Sequence, residues 1–267
     1  MEIGAIYQGH GKCEFIVWAP LLDDVRLHLI SPIEQQVPME KDDSGYWKVT
    51  LDHIEVGRQY FYRLNRKKER PDPASRFQKE GVHQASVVVD FQSYQYDKVN
   101  HWQGIKLEDY IIYELHVGTF TEPGDFESLI AKLPYLTELG ITAVEIMPVA
   151  QFPGRKNWGY DGVYLYAVQN SYGGADGLKK LVNACHQAGL AVILDVVYNH
   201  LGPEGNYLHD YAPYFSSKYT TPWGDALNFD EHYSDEVRNY FFENALYWFR
   251  YFDIDALRLD ATDAIRD

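Results

Sequence analysis

The stretch "GADGLKKLVNACHQAGLAVILDVVYNH", residues 174–200, decides the fold. Through Gly189 its apolar residues recur at helical spacing, and the glycine closes the segment. From Leu190 the pattern becomes one continuous apolar run, the mark of a strand buried on both faces. Asp195 sits inside that run, and Asn199 and His200 follow at its end. A helix that feeds such a strand belongs to a parallel sheet with helices outside it.

The alternation extends in both directions. Upstream, "YIIYELHV" (110–117) and "ITAVEIMPV" (141–149) read as strands. Between them, "DFESLIAKLPYLTELG" (125–140) is expected to be one helix ending on Gly140. Downstream, "SDEVRNYFFENALYWFRYFD" (234–253) is a long amphipathic helix, with Ser234 as its expected cap and Asp235 and Glu236 in the first turn. "IDALRLDA" (254–261) is a fourth strand. A doubly wound sheet and a (β/α)8 barrel share this texture. The barrel is favoured because polar residues gather just after strand ends: His116, then Asp195 with Asn199 and His200, then Asp260. No G-x-G-x-x-G or phosphate-binding loop argues for a nucleotide fold.

Residues 1–90 have a different pattern. "CEFIVWAP" (13–20), "DVRLHLI" (24–30), "GYWKVTL" (45–51) and "GRQYFYRLN" (57–65) are short β-branched and aromatic runs, with turn signals at "DDSG" and "EVG". In the second, Val25, Leu27 and Leu29 alternate with Arg26 and His28. Short strands at this spacing predict an all-β sandwich like a carbohydrate-binding module. "RPDPASRFQKEGVHQAS" (70–86) is expected to be irregular. The organisation expected is therefore a sandwich over 1–90, a linker over 91–106, and a partial (β/α)8 barrel over 107–267.

Composition narrows the partners. The chain carries a net charge of −15, which argues against nucleic acid or an acidic membrane surface. Its 22 tyrosines offer flat faces with hydroxyls, which suit sugars, although most tyrosines in any protein serve packing. Cys13 and Cys185 form no CxxC, so neither a disulfide framework nor a zinc site is indicated. No signal-peptide pattern or membrane-length apolar run is present, so a cytoplasmic location is expected.

The chemistry-bearing residues sit at the strand ends. Arg258 and Asp260 lie two apart, so both point to one side of their strand, where the cation would hold the carboxylate ionised. An ionised carboxylate is what nucleophilic catalysis requires. An isolated R-x-D reads more readily as a structural ion pair. Tyr160 reads either as core or as a platform, and Asp161 as a cap or turn residue after Gly159. Trp158 and Trp223 either line a cleft or pack loops. His116 reads as a barrel-lining residue, and His209 and His232 as surface residues.

The context of those residues carries a resemblance. "GITAVEIMPV" (140–149), "NWGYDGVYLYA" (157–167), "LAVILDVVYNH" (190–200) and "DALRLDATDAI" (255–265) occur in the order and spacing of the α-amylase superfamily, glycoside hydrolase family 13. The N-terminal module resembles the one preceding the barrel in branching and debranching enzymes. More narrowly, "DPASRFQKEGVH" (72–83), "YELHVGTFT" (113–121), "MPVAQFPGRKNWGYDGVYLYA" (147–167), "NHLGPEGNYL" (199–208) and "TPWGDALNFD" (221–230) resemble its trehalose-releasing subfamily. Members of that subfamily cleave the α-1,4 bond next to the terminal trehalose of maltooligosyl trehalose.

The resemblance implies roles residue by residue. Asp260 becomes the nucleophile of a retaining hydrolase, Arg258 its orienting cation, and Asp195 a structural carboxylate in the same site. His200 binds a sugar hydroxyl, Tyr160 stacks on that sugar, and Trp158 and Asn199 contribute to substrate binding. Asn199 matches a calcium-linked position in many relatives, but one amide specifies no metal, and none is expected. No organic cofactor is implied. Asp263 stands where many relatives place a basic residue toward the leaving-group sugar, which makes it a candidate contact of altered character.

Retaining hydrolysis also needs an acid/base carboxyl about 5–5.5 Å from the nucleophile. In the resembling family it is a Glu on the next barrel strand, with a substrate-gripping Asp later still. Glu114, Glu145 and Asp161 do not match that position. The sequence is therefore expected to be the N-terminal part of such an enzyme, inactive alone, with open barrel edges that invite self-association. The substrate expected is an α-glucan or maltooligosyl trehalose. A glucan branching enzyme is the alternative within the class, and a non-catalytic glucan-binding fragment the alternative outside it.

Overall fold

The structure, a computed structural model, describes residues 1–93 and 102–266. Two antiparallel sheets form the N-terminal module. One runs in the order Gly4–Gly9, Lys12–Trp18, Tyr46–Leu51, Glu40–Lys41. The other runs Gln35–Pro38, Val25–Leu29, Gln59–Leu64, Lys68–Arg70, with Ser86–Val87 also pairing to Gln59–Leu64. The expected alternation sets the register: Val25, Leu27 and Leu29 stand opposite Leu64, Tyr62 and Tyr60, and all six are buried. His28 departs from that alternation. It is buried too, its Nε2 3.1 Å from a Glu34 oxygen and its Nδ1 2.9 Å from a Glu69 oxygen. At the 42–45 turn, Gly45 has φ +85°, and a Cβ there would stand 2.6 Å from Pro20 Cβ, so only glycine fits.

The segment after the sandwich is irregular, as its prolines and glycines predict, but it is firmly held. Asp72 is fully buried and accepts from Tyr60 Oη (2.7 Å), Tyr62 Oη (3.4 Å) and the Ala74 amide (2.8 Å). Burial nonetheless pushes its carboxyl up to about 6. Tyrosines of the second half satisfy the segment's carbonyls: Tyr211 donates to Pro71, Tyr240 to Pro73 and Tyr164 to Val82. The tyrosine-rich composition is thus largely spent on packing, with Tyr60, Tyr62, Tyr166, Tyr172, Tyr211, Tyr214 and Tyr240 all fully buried. The expected linker, 91–106, lies partly outside the described residues.

The second half contains four parallel strands, Ile112–Leu115, Ala143–Ile146, Ala191–Val196 and Ala256–Leu259, hydrogen-bonded in that order. A doubly wound sheet would reverse its strand order at a switch point. Sequential order is the arc of a barrel. Val144, Ile146, Val192 and Leu194 face the helices in the main core, whereas Ala143, Ala191 and Ile193 cluster on the other face with Ala256. That second face is the barrel interior.

Helices α1 (Val117–Phe120), α2 (Phe126–Ile130), α3 (Leu133–Glu138), α4 (Gly174–Gln187) and α5 (Ser234–Phe252) complete the half. The single helix expected over 125–140 is two, broken at Ala131–Lys132, with Pro134 in the first turn of α3 where its missing N–H costs nothing. The first strand is shorter than expected, because Val117 already begins α1. The cap of α5 also differs: Tyr233, left-handed at φ 71°, is the cap residue, and no side chain caps the helix. Ser234 is its first helical residue, and Asp235 and Glu236 face the positive end of its dipole. Two antiparallel hairpins, Ala150–Gln151 with Tyr164–Val168 and Phe215–Thr221 with Gly224–Leu227, extend the loops beyond the strand ends.

Candidate active site

Strand register brings the expected residues together. Asp195 pairs directly with Arg258 across the third and fourth strands, so both side chains enter the barrel interior. Arg258 Nη1 donates to Asp195 Oδ2 at 2.9 Å and to Asp260 Oδ1 at 2.6 Å. The other oxygen of Asp260 accepts from Asn199 Nδ2 at 3.1 Å, and the same amide reaches the Asp260 carbonyl at 2.8 Å. Both carboxylate oxygens are therefore fixed in direction. The chain turns immediately afterwards at Ala261, a non-glycine residue at φ 40°, a local strain of the kind that functional sites retain.

The charges balance unevenly. The Asp195 side chain has no exposed surface, and burial pushes its carboxyl above the usual range, although Tyr160 Oη (2.8 Å) and Arg258 pull it back. The same surroundings raise the Tyr160 hydroxyl, so it stays protonated and donates. Two carboxylates raise the Arg258 guanidinium further, after burial has opposed them. Asp195 Oδ1 is buried and meets no hydrogen-bond partner among the described residues.

His200 and Asn199 follow the third strand and are 4% and 1% exposed. His200 Nδ1 contacts Asn199 Oδ1 of the preceding residue. Burial lowers the imidazole's affinity for a proton, which leaves it neutral near pH 7. Trp223, on the Phe215–Leu227 hairpin, stacks on His200 with centroids 5.2 Å apart and 25° between planes. It remains 51% exposed, and Trp158 71%, so neither is buried by loop packing.

The loop carrying Trp158 and Tyr160 is closed by Asn157. Its Oδ1 accepts from the Gly159 amide (2.7 Å), and its Nδ2 donates to Asp161 Oδ2 (2.6 Å), which makes Asp161 a turn residue. Gly159 is obligatory: φ is +101°, and a Cβ would lie 2.1 Å from the Pro148 carbonyl oxygen. His116 supports this loop from below, its Nε2 2.8 Å from the Asn157 carbonyl and 2.9 Å from Tyr172 Oη. Asp263 is exposed in the short 3-10 turn Thr262–Ala264. His209 stacks on Phe215 at the surface, and His232 is exposed beside Tyr233. The sequence reading missed Asn157, although an Asn two residues before a Gly is a turn signal. It also left Glu114 and Glu145 without a role.

Those two carboxylates and Asp195 form one group among the described residues in which one oxygen of each lies within 4.8 Å of one oxygen of the others. A separate 680 Å³ cavity at the opposite strand ends is lined by Trp102, His186 and Asp255. There Asp255 accepts from Trp102 Nε1 (2.7 Å) and the Val192 amide (2.7 Å) and lies 2.9 Å from His186 Nε2, so its polar groups are spent on structure.

A family model described as the alpha amylase catalytic domain matches residues 90–229. Carbohydrate-binding module 48, the isoamylase N-terminal domain, matches residues 2–90. Malto-oligosyltrehalose trehalohydrolase of Saccharolobus solfataricus is 56% identical over 253 residues, covering 95% of this chain and 44% of that protein. The enzyme of the same name from Arthrobacter ramosus is 44% identical over 259 residues, with the same two coverages. A 1,4-alpha-glucan branching enzyme of Pseudoalteromonas atlantica is 30% identical over 84% of this chain and 34% of its own. Among solved structures, a pullulanase from Anoxybacillus sp. complexed with maltotetraose superposes with TM-score 0.88 at 28% identity, over 99% of this chain and 45% of that one. The chain thus spans under half the length of the curated relatives it matches.

Proposed function

The chain belongs to the α-amylase family through its catalytic domain, and on that premise we propose that the full-length protein releases trehalose from maltooligosyl trehalose. The bond broken is the α-1,4 link next to the terminal trehalose. The observation that carries the reading is the clamp on Asp260, one oxygen held by Arg258 and the other by Asn199. A carboxylate fixed in this way cannot rotate away from an anomeric carbon placed above it.

In this reading Asp260 attacks the anomeric carbon and forms a covalent glycosyl–enzyme as the leaving oxygen takes a proton from a carboxylic acid. Water, deprotonated by that same group, then displaces Asp260 and restores the original configuration. None of residues 1–267 is assigned as the acid/base, so the activity is proposed for the polypeptide that supplies it. Arg258 and Asp195 keep Asp260 aimed. Neutral His200 and Asn199 meet sugar hydroxyls, the Tyr160 face and Trp158 stack on rings, and Asp263 accepts from the leaving-group sugar. This double displacement requires no organic cofactor.

The residue 1–90 module and the barrel from 107 onward form the proposed division of labour. A cytoplasmic setting is part of the proposal, supported by two buried free cysteines; no helix is long and apolar enough to cross a membrane among the described residues. For residues 1–267 taken alone, self-association through the outer barrel strands is supported by Ile112 and Leu259, 47% and 45% exposed. The branching-enzyme relative keeps a second reading open. Incubating the full-length protein with maltooligosyl trehalose separates the two: free trehalose supports hydrolysis, and new α-1,6 branches with no trehalose overturn it.

A further inference from the structure

We infer that Glu145 is a positioning residue beneath the nucleophile, holding a proton that it donates to the otherwise unpartnered Asp195 Oδ1. The inference rests on the hydrolase reading only for its kinetic test.

Strand pairing puts Glu145 in the right place. It stands opposite Glu114 on one side and Ile193 on the other, and Asp195 is two residues beyond Ile193 on the same face. The facing groups are Glu114 from the first strand, Asp195 from the third, and Arg258 and Asp260 from the fourth and the turn after it, with Tyr160 above. Asp195 Oδ2 is occupied by Tyr160 and Arg258, while Oδ1, also buried, has no donor among the described residues. A buried carboxylate oxygen without a donor is costly. Arg258 Nη1 is already shared between Asp195 and Asp260. A carboxylic acid proton would supply the missing donor, and one carboxylate oxygen of Glu145 lies within 4.8 Å of one of Asp195.

Glu145 is the better holder of that proton than Glu114. It is half-buried where Glu114 is exposed, and among the described residues no donor stabilises its ionised form. Burial, with Glu114 and Asp195 beside it, raises its carboxyl, and Arg258 opposes them only in part. A protonated Glu145 completes Asp195, which keeps Arg258 and hence Asp260 in place. As pH rises through the raised value, Glu145 ionises, the donation is lost, and a like charge appears beside Asp195.

The test uses the full-length protein. Infrared spectra at neutral pH should contain a carboxylic acid carbonyl band, additional to that of the general acid, that is absent from E145Q and retained in E114Q. In trehalose release, E145A should lower kcat about 10- to 100-fold, the loss of one hydrogen bond to a charged group, with KM little changed. E145Q, whose amide still donates, should recover most of that loss and remove the Glu145 contribution to the alkaline fall of the pH profile. A wild-type spectrum without the band overturns the inference even where a variant does not fold. So does an E145Q enzyme as impaired as E145A, or rescue of E145A by added magnesium or calcium ions. A protein with the band but no glycosidase activity would refute the hydrolase reading and leave the proton assignment standing.

Discussion

Asn199 Nδ2 donates at once to the carbonyl and to the carboxylate of Asp260, at 2.8 and 3.1 Å, tying the loop after the third barrel strand to the turn after the fourth. Because this amide and Arg258 occupy opposite carboxylate oxygens, their contributions to aim are separable. In the full-length enzyme, D260N should reduce kcat on the order of 10⁴-fold or more while maltooligosaccharide binding persists. N199A should cost about 10- to 100-fold, the range for one hydrogen bond to a charged acceptor. Calorimetric binding and initial rates on both variants check this; equal losses in binding and turnover would contradict it.

Gly159 sets the height of Tyr160 over that pair. With a methyl group forced to within 2.1 Å of the Pro148 oxygen at φ +101°, G159A should lower stability by about 1–3 kcal/mol. It should also lower activity more than a remote change of equal stability cost, because Tyr160 donates to Asp195. Urea unfolding and kcat measured on the same samples test both parts.

Trp223 makes a ring contact with His200 yet leaves half its own surface open. W223A should raise KM by roughly 3- to 10-fold, the worth of one aromatic contact, with a melting temperature close to that of the parent. A large loss of stability with unchanged KM would show that the indole only packs the hairpin.

Asp72 gives stability a specific pH dependence. Its folded carboxyl titrates at about 6, against an ordinary value of 3.8, so the folded state binds the proton more tightly. The stabilisation is complete below the unfolded value and is lost as pH rises through about 6. The full effect is about 3 kcal/mol. Denaturant midpoints at about pH 4 and about pH 6.5 should differ less in D72N than in the parent.

Much of this was legible in the primary structure, for reasons that can be named. The run from Leu190 to Val196 is apolar throughout because a parallel strand is buried on both faces, and the polar residues at its end could only be loop and site. Arg258 and Asp260 were placed on one side by strand periodicity alone. The break at Ala131–Lys132 was hidden because Pro134 sits harmlessly in a first turn while the apolar spacing continues across it. The cap of α5 was misassigned because Ser234 carries the right chemistry, but Tyr233 in a left-handed conformation turns the chain. Asn157 and the role of Glu145 were hidden for another reason. Their partners are Gly159 and Asp161 across a tight turn, and Asp195 on the neighbouring strand, and only register and loop closure bring them together.

The most direct test of the account is to trap the proposed glycosyl–enzyme on the full-length protein with a slow fluorinated α-glucosyl substrate and locate the label by peptide mass spectrometry. The account predicts one sugar attached to the peptide containing Asp260, and no label in D260N. Label on any other carboxylate, or turnover with inversion and no trapped species, would contradict it.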